Sequence, residues 1–127
     1  MRLLEQAIEQ NAALRGGAPF PDFVVWWGEA SLLAGQLDEA YTQAQRGLEL
    51  SRAHQERGDE AYALRLLGEI ATHGEPLQAE PGETYYRQAL TLAEELGMRP
   101  LQAHCHRSLG TLYALTGQWE QARTELS

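Results

Sequence analysis

The sequence predicts an all-α protein, an antiparallel helix-hairpin solenoid of about seven helices. Three observations lead there. Apolar residues recur at spacings of three and four, not two, which is helical rather than strand periodicity. One short phrase returns three times, as Trp27-Gly28, Leu67-Gly68 and Leu109-Gly110, with its glycines 40 and 42 residues apart. A small or aromatic residue follows three positions later in each copy (Ser31, Ala71, Tyr113), and the outer copies also share Gly35 with Gly117 and Ala40 with Ala122. A period in this range means stacked helical hairpins, each unable to bury its apolar face alone. Glycine and proline fall between the periodic stretches, where helices should stop and start.

The elements follow in order. Leu3, Leu4, Ala7, Ile8, Ala12 and Leu14 give residues 2–15 a helical stripe that Gly16-Gly17 ends. Pro19 and Pro21 stiffen a connector, and Pro21 or Asp22 suits the first turn of a helix running to Ala34. Gly35 breaks that helix. Leu37 to Arg57 reads as one long helix ended by Gly58, and Asp59 as the N-cap of the next, which runs from Glu60 to His73. Gly74 opens the one long loop, to about Pro81. Pro81-Gly82 then starts a helix that runs to Leu96, with Gly97 as its C′ residue. Pro100 suits the first turn of a helix ending near Thr116; Gly117 breaks it, and a last helix begins at about Gln118.

No linker divides the chain, so we read one array over residues 1–127: a half repeat at 1–16, repeats at 19–58 and 59–98, and a truncated repeat at 99–127. Residues 2–15 align with the later half of a hairpin's second helix, Leu4, Ala7, Ile8 and Leu14 matching Tyr86, Ala89, Leu90 and Leu96. The expectation is a piece of a longer protein.

The repeat also explains residue choice. Gly28, Gly68 and Gly110 stand mid-helix, where glycine costs about 1 kcal/mol against alanine. A cost repeated at one register calls for close helix contact. Ala7, Ala40, Gly47, Ala89 and Ala122 fit the opposing small positions. Trp27, Leu67, Leu109, Leu48, Tyr86, Leu90 and Leu126 fit the holes between them.

Those residues carry a resemblance. Leu109-Gly110-Thr111-Leu112-Tyr113, followed by Gly117, Trp119 and Ala122, resembles the tetratricopeptide repeat, and the likeness extends over nearly the whole chain as a superhelix of helix pairs. The periods exceed the family's usual ~34 residues, and Arg52 and Glu94 stand where its terminal proline would. The stretches Ala63 to Ala71 and Tyr86 to Gly97 are similar to the C-terminal repeat regions of large bacterial signalling proteins with a class III adenylate or guanylate cyclase or a transcription-regulator ATPase. The resemblance implies a regulatory or scaffolding tail, with another domain of the parent protein as one candidate partner.

Composition narrows the function. Net charge is −8, from 18 acidic and 10 basic residues, and every basic residue is arginine. That balance opposes nucleic acid and an anionic membrane surface. No run approaches the ~20 apolar residues of a membrane span, and the acidic start is no secretory signal. Cys105, the single cysteine, forms no internal disulfide, so a cytoplasmic location is the default.

No constellation reads as a catalytic, metal or cofactor site. His104, Cys105 and His106 diverge by about 100° per residue on a helix, so they do not share a zinc ion; they read as a surface His, a packed Cys and a partly buried His. His73 suits a helix C-terminus. Glu94-Glu95 and Asp59-Glu60 diverge likewise and read as solvated surface. Gly16-Gly17 lacks the Lys-Ser or Lys-Thr of a phosphate loop. The chain reads as a binding protein and not an enzyme.

In tetratricopeptide arrays the first helix of each pair lines a concave groove. By register, the resemblance implies a partner-binding groove of Trp26 and Glu29, then Tyr62, Arg65, Glu69 and His73, then His104, Arg107 and Thr111. Asp22, Val25, Leu33, Leu66, Ser108 and Leu115 fall on the same lines. Such a surface suits an extended peptide or short helix. The family's chaperone-tail clamp is not matched, since Val25, Glu29, Leu66, His104 and Ser108 occupy its positions. Arg65 and Arg107 remain able to grip a carboxylate bidentately, and Arg65→Ala and Arg107→Ala should leave helicity intact. Two other readings stand beside this one. Leu3, Leu4 and Ile8 at one end and Leu112, Trp119 and Leu126 at the other lack a polar cap, which favours self-association into a homodimer. The groove would also suit a small-molecule sensor.

Overall fold

The computed structural model describes residues 21–74 and 77–126. They form six helices: α1 (Pro21–Leu33), α2 (Leu37–Ala53), α3 (Arg57–His73), α4 (Ala79–Leu96), α5 (Arg99–Leu115) and α6 (Trp119–Leu126). There is no strand among them. The all-α hairpin class is therefore the one expected. The helix expected at 2–15, and with it the half repeat at 1–16, lies outside the described residues.

Four of the five connections are one turn made four times. One or two positions after the helix end a residue takes a left-handed conformation: Gly35 at φ 77°, Gln55 at 55°, Gly97 at 69° and Gly117 at 81°. The next residue donates its N–H back across the last turn. Gln36 bonds Ser31 O at 2.9 Å, Glu56 bonds Ser51 O at 2.8 Å, Met98 bonds Ala93 O at 2.8 Å, and Gln118 bonds Tyr113 O at 2.7 Å. These bonds close the helix by the Schellman pattern. The carbonyl of that same residue accepts the first bond of the following helix, from Ala40 (2.9 Å), Glu60, Gln102 and Ala122 (each 3.0 Å). One residue thus finishes one helix and starts the next. No side-chain cap forms at Gln36, Glu56 or Met98. A carbonyl fixed by the turn supplies the start instead.

Three expected boundaries are corrected, two of them by this turn. The second helix ends at Ala53 and not Arg57, because the left-handed turn that stops it falls at Gln55 and not at Gly58. Gly58 and Asp59 lie inside the first turn of α3, so Asp59 is not its N-cap. The fourth helix opens at Ala79, ahead of Pro81, because Gln78 donates to Ala71 O at 3.0 Å and its own carbonyl takes Gly82 N–H at 3.1 Å. Pro81 sits in the first turn, where a missing N–H is not required.

Each helix packs on its successor, and α1, α3 and α5 also approach one another in turn, whereas the backbones of α2, α4 and α6 stay apart. The molecule is a double row whose odd-numbered row is the closer set. The seam is lined by small residues with no exposure, Ala40, Ala44, Ala61, Ala63, Ala89 and Ala93, against Leu48, Leu64, Leu66, Leu67, Leu90 and Leu109. Gly28, Gly68 and Gly110 are all buried within it. A Cβ on Gly28 would stand 2.7 Å from Leu66 Cδ2 and 3.4 Å from Ala40 O. One on Gly68 would stand 2.8 Å from the Tyr86 ring. Glycine is therefore what lets α1 close on α2 and α3, and α3 on α4.

Candidate functional site

Four of the predicted groove residues meet in one ion network across the odd-numbered helices. Arg65 of α3 donates through Nη2 to Glu29 Oε1 on α1 at 2.6 Å and through Nη1 to Glu69 Oε1 on α3 at 3.1 Å. His104 of α5 places Nε2 2.8 Å from Arg65 Nη1 and 3.1 Å from Glu69 Oε1. That nitrogen accepts from Arg65 in one tautomer and donates to Glu69 in the other. The Arg65 side chain is only 14% exposed. Its planar fork serves several neighbours at once, as an ammonium does not. The sequence reading left Arg65 available to a ligand carboxylate; the structure commits it to the protein's own. The cause is the repeat itself, since Glu29 and Glu69 hold equivalent positions on neighbouring helices.

Beside this network lies a cleft of about 450 Å³ between α3 and α5, with α4 contributing to its wall. Glu69, His73, His104, Arg107 and Thr111 line it, together with Thr72, Tyr86, Ser108, Leu112 and Leu115. Five predicted groove residues are therefore brought together. Trp26 and Tyr62 do not line it; both are about half exposed, at 53% and 42%. Glu29 stands behind it, bound to Arg65. Val25 and Leu66, expected on the groove, are core residues at 4% and 1% exposure, because Gly28 admits Leu66 against α1. Leu112, expected at an open apolar end, is buried at 2%. The side chains of Trp119 and Leu126, and Leu3, Leu4 and Ile8, lie outside the described residues.

Tyr86 is the wall residue that the sequence reading placed only in the core. It is both: its ring packs over Gly68, and its hydroxyl lies 3.3 Å from Thr72 Oγ1. Burial pushes its hydroxyl up to about 12, opposed by hydrogen bonds to Thr72 and Ser108. It is a neutral donor and acceptor at any ordinary pH. His73 ends α3 and holds Glu69 O with Nδ1 at 2.7 Å, the position a helix C-terminus favours.

His104, Cys105 and His106 point three ways. His104 joins the inner network. Cys105 is fully buried, which pushes its thiol up to about 11. His106 bonds Glu125 Oε2 through Nδ1 at 2.6 Å. That last contact belongs to a second network on the other side of the molecule, which no sequence motif announced. Tyr113 donates to Glu83 Oε1 at 2.7 Å, Arg87 donates to Tyr113, and Arg87 stands 3.6 Å from Glu125. Only Glu83 and Arg87, four apart on α4, gave a legible hint of it. Among the described residues no cluster of three His, Cys, Asp or Glu side chains could hold a metal ion. No described helix is long and apolar enough to cross a membrane.

A scan against known protein-family models finds no match for this sequence. A search of curated proteins finds no significant relative.

Proposed function

We propose that this chain is a helical-repeat interaction module of the tetratricopeptide type, serving as a scaffold or regulatory tail in a larger signalling protein, and that it holds an extended peptide in the cleft between α3 and α5. The observation that carries the reading is that cleft. It joins polar side chains (Thr72, Ser108, Thr111, Arg107) to apolar surface (Leu112, Leu115, the Tyr86 ring) in a volume of about 450 Å³, the mixture that peptide and small-ligand sites use. Its walls are helices fixed by buried glycine contacts and by the Arg65 network, so little ordering cost attends binding. The wall has no hydroxyl, thiol or imidazole arranged as nucleophile with base, which favours holding over reacting.

The test is selection of a random heptapeptide display library on the immobilised full chain. Recovered peptides should bind in solution and lose binding to Thr111→Trp, which fills the cleft from an exposed position. Failure to recover any peptide, or recovery of peptides indifferent to Thr111→Trp, overturns the reading. A small-molecule occupant is the second reading, supported by the same volume. A metabolite that raises the melting temperature of the native chain but not of Thr111→Trp would establish it instead.

A further inference from the structure

We infer that the cleft selects peptides that carry an acidic and an aliphatic side chain on one face, the carboxylate held by Arg107 and the aliphatic group by Leu115. The inference rests on the peptide-binding reading above and specifies its partner.

Arg107 differs from the other cation near the cleft. Arg65 is mostly covered and its nitrogens are engaged by Glu29, Glu69 and His104. Elsewhere Arg52 pairs with Glu60, Arg57 with Glu95, and Arg87 with Glu83 and Glu125. Arg107 is exposed, lines the cleft, and has no ion-pair partner among the described residues. The one carboxylate in the wall, Glu69, turns its Oε1 to Arg65 and His104. In a chain of net charge −8, an unpaired guanidinium on a concave wall is complementary to an incoming carboxylate, which it binds through two parallel hydrogen bonds.

The spacing comes from helix geometry. His104, Ser108, Thr111 and Leu115 succeed one another by four, three and four residues and so form one stripe along α5, with Arg107 beside its polar start and Leu112 beside its apolar end. Leu112 lies about 140° round the helix from Arg107 and is buried, so the aliphatic contact falls to Leu115, eight residues and about 12 Å along the axis from Arg107. In an extended peptide, side chains on one face recur every second residue, about 6.7 Å apart. One peptide face thus meets Arg107 with its acidic residue and Leu115 with an aliphatic residue further along that face. Leu115 is 66% exposed and offers the aliphatic surface. Side chains on the other peptide face point away from the cleft and are not selected.

The test uses the display library just named, then synthetic heptapeptides with aspartate or asparagine at the acidic position. On the native chain, recovered sequences should share an Asp or Glu together with Leu, Ile, Val or Met, and the asparagine peptide should bind about tenfold more weakly. Arg107→Ala should weaken the aspartate peptide by a similar factor and abolish the difference between the two peptides. Arg99→Ala, at an exposed arginine outside the cleft, should change neither. Leu115→Ser should relax the aliphatic preference and keep the acidic one. Peptides that need the cleft, being blocked by Thr111→Trp, but show no acidic preference would overturn this inference and leave the peptide-binding reading standing. An Arg107→Ala variant that still prefers aspartate would do the same. Recovery of no peptide, or only of peptides indifferent to Thr111→Trp, overturns both.

Discussion

Three glycines show how one side chain can have opposite value at different places in the same fold. Gly58 lies in the first turn of α3, where a Cβ would meet nothing within 4 Å. Gly58→Ala should therefore stabilise by about 0.5 kcal/mol through helix propensity and a less flexible unfolded chain. Gly68 gains the same propensity, but its methyl would press a rigid ring at 2.8 Å. Gly68→Ala should cost about 1–3 kcal/mol net, the penalty of overpacking. Gly28→Ala should fall between them, since Leu66 Cδ2 is the end of a flexible side chain while Ala40 O is fixed backbone. Urea unfolding followed by circular dichroism would rank the three, and an equal effect at Gly58 and Gly68 would contradict the close contact. Two buried acids act at the same scale. Cys105 is raised from 9.0 to about 11 and Tyr86 from 10.0 to about 12, both chiefly by burial. Below pH 9 both groups are protonated folded or unfolded, and their contribution is complete. As pH climbs past 9 and then 10 the unfolded chain ionises first, so stability should fall until the native groups ionise near 11 and 12. The slope is on the order of 1 kcal/mol per pH unit for each group. Tyr86→Phe should flatten the part of a urea-midpoint profile between pH 10 and 12, and an unchanged slope there would contradict the burial of that hydroxyl.

The repeated turn governs the elements, and one of its four copies uses the wrong residue for the conformation. Gln55 holds φ at 55°, where Gly35, Gly97 and Gly117 stand in the other copies. A side chain in that region costs about 1 kcal/mol that glycine does not. Gln55→Gly should raise the melting temperature by a few degrees, against the usual penalty for adding glycine. A lower melting temperature would mean that the Gln55 side chain, not the backbone, holds the turn. The same residue explains what could be read in advance. Helix ends at Gly35, Gly97 and Gly117 were legible because glycine marks the left-handed position. The end at Ala53 was not, because glutamine carries no such signal and Gly58 nearby offered a false one. Buried Trp27, Leu67 and Leu109 followed from the period alone. Part of the candidate site was expected from the resemblance: its register put His104, Arg107 and Thr111 on one line, and they share a wall of the cleft. Tyr86 was missed as a cleft residue because a second-helix side chain reaches that wall only through the gap that Gly68 leaves. The fate of Arg65 was missed because a one-dimensional pattern does not say which of two neighbouring carboxylates a guanidinium will reach.

At the scale of the whole molecule, the buried seam within each hairpin is apolar, with ion pairs such as Arg57–Glu95 and His106–Glu125 at its margins, whereas the odd-numbered row is tied by charge through Arg65. Arg65 alone reaches α1, its own helix and α5. The backbone approach between those helices is slighter than between successive ones, so the setting of one hairpin on the next depends more on such ties. Removing the guanidinium leaves Glu29 and Glu69 facing one another without a cation, at 36% and 20% exposure. Partial access to water softens the loss, and about 1–2 kcal/mol is the expected cost of Arg65→Ala. Helix content should hardly change, because every helix keeps its own backbone bonds and apolar seam. Arg65→Lys should recover less than half of the loss, as one ammonium does not span three partners. The distinguishing measurement is not stability alone. If Arg65 sets the relation between hairpins, amide exchange in Arg65→Ala should quicken on the facing turns of α1 and α5 around Glu29 and His104, and remain slow at the buried seam around Ala89 and Leu90. Peptides that engage Arg107 should then bind Arg65→Ala more weakly without any contact to Arg65, since the α3 and α5 walls are held less firmly in register. Unaltered exchange at both helices, together with full peptide affinity, would show that the seam alone positions the hairpins and that the network only decorates their surface.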